Sequence, residues 1–361
     1  MLTRHRHRVI IVATLLVSKL LHVSLLRLTP TQFDLSTPGA TLLEKTIRWD
    51  AVYFNSLFSK GPQFEHEWVF GPLWAKTVFA LSNFTNLPSL IVGLILSNVA
   101  QLCSALVLYE YTMILSSGFS SIALKSSVLF LWSSMGVFGT VAYSENFAAL
   151  WSIIGLYLRE ASFLNQKSSV YIFSSIFFTL AFWTRSNCIV LGAIYLYDLL
   201  THQKKRSLFA GILLGIGVFA SLYPPYSEFC PGRPWCNDLV PSLYSYAQKK
   251  YWNNGFMKYW TPNNLFNFIV ASPIITLNFL ASKHYYNTRL QPIVISSALF
   301  LSIIIFFAHV QIIVRISSFL PLQFWYLAHE VTEGRGQYWV LYLTIWIPLQ
   351  TILYAGFLPP A

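Results

Sequence analysis

Ionisable residues are scarce in this sequence. Only 10% of its 361 residues are Asp, Glu, Lys or Arg, while 55% are hydrophobic and 17% aromatic. A soluble domain carries about a quarter charged residues, so the composition excludes a water-soluble enzyme and implies a polytopic membrane protein. The four cysteines are too few for a disulfide-rich scaffold. There is no Gly-rich phosphate loop, no nucleophile elbow, no CxxC pair and no βαβ pattern for a Rossmann nucleotide-sugar site. His66 is flanked by Glu65 and Glu67, but no second histidine follows one turn away, and His309 and His329 lie on other segments. The pattern is not HExxH, and no metal is expected. Internal repeats and low-complexity tracts are missing as well. The balance of 24 basic to 13 acidic residues gives a net charge of +11. These cations are scattered without a nucleic-acid fold signature, so they read as charges flanking membrane spans, and nucleic acid is not an expected partner.

What remains is apolar. A helix needs about 20 such residues to cross the hydrocarbon core. Candidate crossings are 9–28, 89–115, 126–143, 147–159, 170–184, 186–200, 207–224, 264–280, 291–308, 313–329 and 338–357. They predict an all-α bundle of about eleven spans packed as a single domain over 1–361, with large loops at 29–88 and 225–263. RHRHR followed by an apolar run, with no small-x-small cleavage signal, reads as a retained first span with a cytosolic start. Alternation then puts the short basic connections 201–206 and 281–290 on the cytosolic side. The polar clusters fall on the other face: Arg48–Pro72, Ser144-Glu145-Asn146, Arg185-Ser186-Asn187, 225–263 and His309-Val310-Gln311. The stretch 68–87, apolar but holding Lys76 and Asn83, is expected to lie on or dip into the membrane, where the sequon at Asn83 would go unmodified.

Residues 48–72 carry most of the chemistry. Asp50, Glu65, His66 and Glu67 stand among Trp49, Tyr53, Phe54, Phe64, Trp68 and Phe70. A carboxylate at a membrane edge implies a function or a cationic partner. Asp50 is the first candidate for a general base and Glu65 the second. Read blandly, the stretch is an interfacial amphipathic loop with an aromatic belt. Glu145 suits either a functional role or a cap for a helix starting near Asn146. Arg185 and Arg315 interrupt apolar runs; such guanidiniums grip a phosphate or pair with a carboxylate such as Asp50 or Glu145. YAQKKYWNNGFMKYWTPNN places Lys249, Lys250 and Lys258 among rings, beside Trp252, Asn253 and Asn254. It suits an anionic lipid, a sugar face or a helix lying on the bilayer. Cys230 and Cys236, in FCPGRPWCND, are close enough to pair in an oxidising lumen.

R48-W-D-A-V-Y-F followed by F64-E-H-E-W-V-F-G-P resembles the opening motif of the GPI mannosyltransferase II family. A142-Y-S-E-N-F-A, T184-R-S-N, R233-P-W-C, S242-L-Y-S-Y, Y251-W-N-N-G-F-M-K-Y-W, H309-V-Q-I-I-V-R and the terminal F357-L-P-P-A resemble later motifs, in order. The length is similar to that of fungal members. Cys188 departs from the family pattern, standing where glycine is usual. The resemblance implies a GT-C type fold in the endoplasmic reticulum membrane with a luminal active site. It also implies transfer of the second, α1,6-linked mannose from dolichyl-phosphate-mannose to a GPI precursor glycolipid, with inversion. No cofactor beyond the donor substrate is implied, and fungal relatives suggest a small membrane partner subunit. Asp50 would be the base, with Glu65 and His66 orienting it or the acceptor. Arg185, Arg315 and Lys258 would hold the donor phosphate. Trp49, Glu145, Asn187, Trp252, Asn253, His309 and Gln311 would line the acceptor site.

Two rivals remain on the residues alone. Another luminal polyprenyl-phosphate-sugar glycosyltransferase would share the acidic loop but not the YWNNGF and HVQIIVR stretches. A lipid or solute transporter would carry midplane charges, often in a pseudo-symmetric repeat, whereas here the polar clusters share one face.

Overall fold

A backbone in hydrocarbon satisfies its own N–H and C=O groups most readily as a helix, and the apolar runs of this chain fold that way. The computed structural model describes residues 2–30, 32–34, 39, 41–201 and 204–360. Met1, residues 31, 35–38 and 40 of the first large loop, His202 and Gln203 of the basic connection, and terminal Ala361 lie outside the described residues. Among those described there is no strand. Helix α1 (Leu2–Leu28) is followed by α2 (Asp50–Lys60) and α3 (Pro72–Thr85), both too short to cross. The bundle continues through α4 (Ser89–Leu115), α5 (Ser120–Leu131), α6 (Glu145–Asn165), α7 (Ser168–Thr184), α8 (Gly192–Thr201) and α9 (Lys204–Phe229). Then come α10 (Leu243–Tyr251), α11 (Leu265–His284), α12 (Gln291–Phe307), the single turn α13 (Ile313–Ile316), α14 (Leu322–Thr332) and α15 (Gln337–Ala355).

Six helices among the described residues are long and apolar enough to cross a membrane, or seven if Val310–Phe319 and Leu322–Thr332, bent by 84°, act as one span. Four further apolar helices are shorter: Ser120–Leu131, Ser168–Thr184, Ser186–Thr201 and Gln291–Phe307. Helix length therefore does not confirm about eleven crossings, the number the apolar runs suggested; that number holds only if the short helices cross too.

One shortfall has a clear cause. The crossing expected over 126–143 stops at Leu131, and residues 132–144 run as buried irregular and 3-10 backbone. Such backbone survives at membrane depth only where protein groups replace the missing bonds. Here the Ser134 carbonyl accepts from Trp346 Nε1 and Gln350 Nε2, and Ser134 Oγ donates to the Val314 carbonyl. The Gly139 carbonyl accepts from Lys19 Nζ and Asn146 Nδ2. The segment thereby joins α1, α6, α13 and α15.

Contacts between distant helices identify the two ends of the bundle. At one end Arg8 of α1 meets Glu110 of α4, Lys125 of α5 meets Thr332 of α14, and Arg289 meets Glu160 of α6. The ends carrying Asp50, Glu145, Arg185 and Arg315 meet at the other. Helix α3 leaves the acidic loop through Gly71, at φ +78°, where a Cβ would stand 2.0 Å from the Thr184 carbonyl oxygen of α7. Gly61 also has positive φ, +67°, but a Cβ there would meet nothing within 4 Å.

This contrast separates backbone strain from a clash. Gly61→Ala is expected to cost about 1–3 kcal/mol, the strain of a positive-φ extended conformation (φ +67°, ψ −177°) that L side chains rarely adopt. Gly71→Ala adds a collision with fixed backbone and is expected to lower the thermal transition of the detergent-extracted protein clearly further. Equal transitions for the two variants would contradict the close α3–α7 approach.

Candidate active site

Asp50 is aimed by strain on the residue before it. Trp49 holds φ +55°, uncommon for a bulky L-residue and sustained only where neighbours over-determine it. The neighbours do so on both sides. The fully buried Arg48 donates through Nη1 to the carbonyls of Glu44 and Ile47, and through Nη2 to Gln32 Oε1 at 2.6 Å. The Arg48 backbone N–H donates to Tyr354 Oη, and its carbonyl accepts from Tyr143 Oη and Tyr354 Oη. Trp49 Nε1 donates to the Leu358 carbonyl, and its ring meets Phe357 edge-on. The chain's C-terminal stretch thus holds the residues just ahead of Asp50, which opens α2.

Four ionisable groups then form a chain across four elements. Asp50 Oδ2 lies 2.6 Å from Arg315 Nη2; Arg315 Nη1 lies 3.6 Å from Glu145 Oε1; and the same oxygen lies 3.0 Å from Arg185 Nη1. Arg185 Nη1 also donates to Ser144 Oγ at 3.1 Å. Two carboxylates and two guanidiniums make the set neutral, which is what permits it in so apolar a protein. The Arg315 guanidinium also stands 5.3 Å from the Phe138 ring and 5.5 Å from that of Tyr143. The Glu145 side chain is wholly buried, whereas that of Asp50 is 27% exposed. Glu145 is not a cap for its own helix: α6 begins at Glu145 itself, and the carboxylate turns to the arginines.

Glu65 has a different job. Its Oε1 forms an ion pair with Arg233 Nε at 3.1 Å and accepts from Trp235 Nε1 at 3.3 Å, and its Oε2 accepts from Tyr251 Oη at 3.1 Å. With 6% of its side chain exposed, it is fastened at both oxygens and poorly placed to take a proton from a substrate. Burial, and then the bond to Glu65, push the Tyr251 phenol above its ordinary pKa, so it stays a donor. Glu65 therefore ties the acidic loop to the Cys230–Cys236 loop, which is closed by a disulfide, and to α10. Arg233, Trp235 and Tyr251 were not singled out as site residues from the sequence. The motif runs around R233-P-W-C and Y251-W were the available signal, but a loop arginine has no visible partner until the chain folds.

Aromatic rings surround His66. It stacks on Phe64 at 5.8 Å and meets Tyr53, Tyr251 and Trp252 at 5.6, 5.2 and 6.4 Å. Tyr53 lies one helical turn after Asp50 and stacks on Phe70, which also meets Trp252. His309 bonds the Trp252 carbonyl through Nε2 at 2.8 Å and stacks on Tyr259. Gln311 follows with a buried Oε1 that no hydrogen bond satisfies. Lys258 stands apart from the arginines, its exposed Nζ 3.4 Å from Asn253 Oδ1. Asn187 is half-buried and turned toward Cys188 Sγ. No group of three or more His, Cys, Asp or Glu among the described residues is arranged to hold a metal ion.

A family model described as Mannosyltransferase (PIG-V) matches residues 17–297 and 285–361. The GPI mannosyltransferase 2 of Candida albicans is 33% identical over 388 residues, covering 96% of this chain and 98% of that one. That of Kluyveromyces lactis is 36% identical (98% and 97% covered), and that of Saccharomyces cerevisiae 38% (88% and 87%). Among solved structures, an Archaeoglobus fulgidus oligosaccharyltransferase crystallised with a tethered acceptor peptide aligns with TM-score 0.51 at 12% identity. The alignment covers 96% of this chain and 55% of the archaeal one, a likeness of fold. The fold is of the GT-C type.

If Glu65 is a fastener, removing its charge should loosen what it fastens. Glu65→Gln is expected to make the linkage after Lys249 or Lys250 cleave several-fold faster under limited Lys-C digestion of detergent-permeabilised microsomes, without lowering protein abundance. Asp50→Asn should leave that cleavage unchanged. Equal digestion of wild type and Glu65→Gln would refute the fastening role.

Proposed function

Because the chain belongs to the PIG-V mannosyltransferase family, we propose that it adds the second, α1,6-linked mannose to a GPI precursor, with dolichyl-phosphate-mannose as donor. It is a multi-pass membrane mannosyltransferase. The observation that carries the finer reading is the Asp50–Arg315 contact, one helical turn from Tyr53 and its ring contacts with His66 and Phe70. One oxygen of Asp50 meets a guanidinium, and the other is left for an incoming hydroxyl.

In this reading the acceptor 6-hydroxyl attacks the anomeric carbon of the donor mannose from the face opposite the phosphate, so configuration inverts. Asp50 Oδ1 takes the hydroxyl proton as the new C–O bond forms. The bond from the anomeric carbon to the phosphate oxygen breaks, and its electron pair leaves with dolichyl phosphate. Arg315 and Arg185 lie beside Asp50 and Glu145, where they can share their charge with that phosphate as it becomes more anionic; Lys258 would act only from the outer rim. Much of the remaining acceleration would come from holding two lipid substrates in one membrane plane, with Tyr53, His66 and Trp252 offering faces to sugar rings. Glu145 supports the arginines from below and does not itself meet substrate. The basic end of the bundle suits the cytosol, and a disulfide near the site suits an oxidising lumen, so a luminal active site in the endoplasmic reticulum fits both.

The test uses microsomes in which each variant is the sole copy, supplied with dolichyl-phosphate-mannose and a singly mannosylated GPI precursor. Asp50→Asn is expected to lose about three or more orders of magnitude in rate at normal abundance, while Glu65→Gln is slowed by less than about a hundredfold. An active Asp50→Asn enzyme would remove Asp50 from the chemistry. A wild type that makes no dimannosyl product would overturn the reading altogether.

A further inference from the structure

At the far end of α2 from Asp50 lies a cavity of about 210 Å³. Its walls are mostly apolar, with Leu57, Pro62, Ala75 and Phe79 among them, and its rim carries Lys60 from the end of α2 and Lys76 from the exposed face of α3. Neither lysine is in an ion pair among the described residues. Trp68 also lines the cavity, and its buried Nε1 has no hydrogen-bond acceptor. Glu67 is the one acidic lining residue. Its Oε2 is engaged by the backbone N–H groups of Gln63 and Phe64 at 2.6 and 3.0 Å, so part of its charge is already satisfied. An apolar hollow rimmed by two unpaired cations, with an idle N–H donor inside, has the chemistry of a site for a lipid whose chain begins at a phosphate.

Distance decides which lipid. From Asp50 to Lys60, α2 rises by about 15 Å at roughly 1.5 Å per residue. The donor's phosphate is bonded to the carbon under attack and must lie next to Asp50, so it cannot also lie at Lys60. In a singly mannosylated GPI precursor, by contrast, the reacting mannose is joined through glucosamine and inositol to the phosphate that carries the lipid. Mannose, glucosamine and inositol end to end are comparable in length to α2.

Building on the proposed reaction, we infer that Lys60, Lys76 and Trp68 form the subsite for the acceptor's phosphate and the first carbons of its lipid. Helix α2 then acts as a ruler: it fixes the phosphate at one end and the reacting hydroxyl at Asp50 at the other. This explains the one charged residue of α3. It also gives the enzyme a way to prefer a glycolipid of the right length over a free sugar or a longer glycan.

The test compares two acceptors: the singly mannosylated GPI precursor, and its water-soluble mannosyl-glucosaminyl-inositol headgroup without phosphate or lipid. Purified Lys60→Glu/Lys76→Glu enzyme in liposomes is expected to show a KM for the phospholipid acceptor raised about tenfold or more, the loss of charge-assisted bonds to a phosphate. The KM for dolichyl-phosphate-mannose, the kcat at saturating acceptor and the rate with the headgroup should stay at wild-type values. Lys60→Arg/Lys76→Arg should retain the low KM, showing that the charge and not the fold is responsible. An unchanged phospholipid KM, an equal loss with the headgroup, or a rise only in the donor KM would each overturn the subsite while leaving the mannosyl transfer intact. A wild-type enzyme inactive toward both acceptors would overturn the mannosyl transfer and the subsite together.

Discussion

The alternating charge chain Asp50–Arg315–Glu145–Arg185 is the constraint on which the rest of this end of the molecule depends. Each group comes from a different element: the start of α2, the isolated turn α13, the start of α6 and the residue that ends α7. Removing one partner from a buried set leaves an uncompensated charge, at about 3–5 kcal/mol. The four elements are therefore held together by the requirement for neutrality as much as by their apolar contacts. This also explains why helices break where they do. Arg315 meets both carboxylates from the short segment 310–319, which is bent by 84° from Leu322–Thr332.

The three carboxylates differ in exposure, and the roles proposed for them follow from that difference. Glu145 is sealed and touches both arginines, so it orients them. Asp50 is partly open and touches one, so it retains an oxygen for chemistry. Glu65 is closed off by Arg233, Trp235 and Tyr251, so it fastens loops. The aromatic rings between Asp50 and Glu65 present faces suited to carbohydrate, and their edge-to-face contacts hold them in place without satisfying any polar group a substrate would need. Strain at Trp49, held by the bonds between Arg48 and two buried tyrosines, fixes the backbone that enters α2 at Asp50.

Composition and apolar run lengths alone determined that this is an all-α membrane protein, because a long stretch of hydrocarbon contact admits only internally bonded backbone. The run of motifs from Arg48 to the C-terminus identified the family, and the scarcity of charge singled out Asp50, Glu145, Arg185 and Arg315, since an oily chain keeps few charges without a partner. Hydropathy could not reveal that 132–144 is irregular or that several crossings fall short: it measures side chains, whereas those features are set by backbone bonds to Trp346, Gln350 and Asn146 from distant segments. Nor could it rank Asp50 above Glu65. Both stand in the same acidic, aromatic loop, and they differ only in what the tertiary structure brings to them, one guanidinium for Asp50 and three donors for Glu65. A residue's chemistry is written in its side chain, but its freedom to use that chemistry depends on solvent exposure and unfilled lone pairs, and these exist only once the chain has folded.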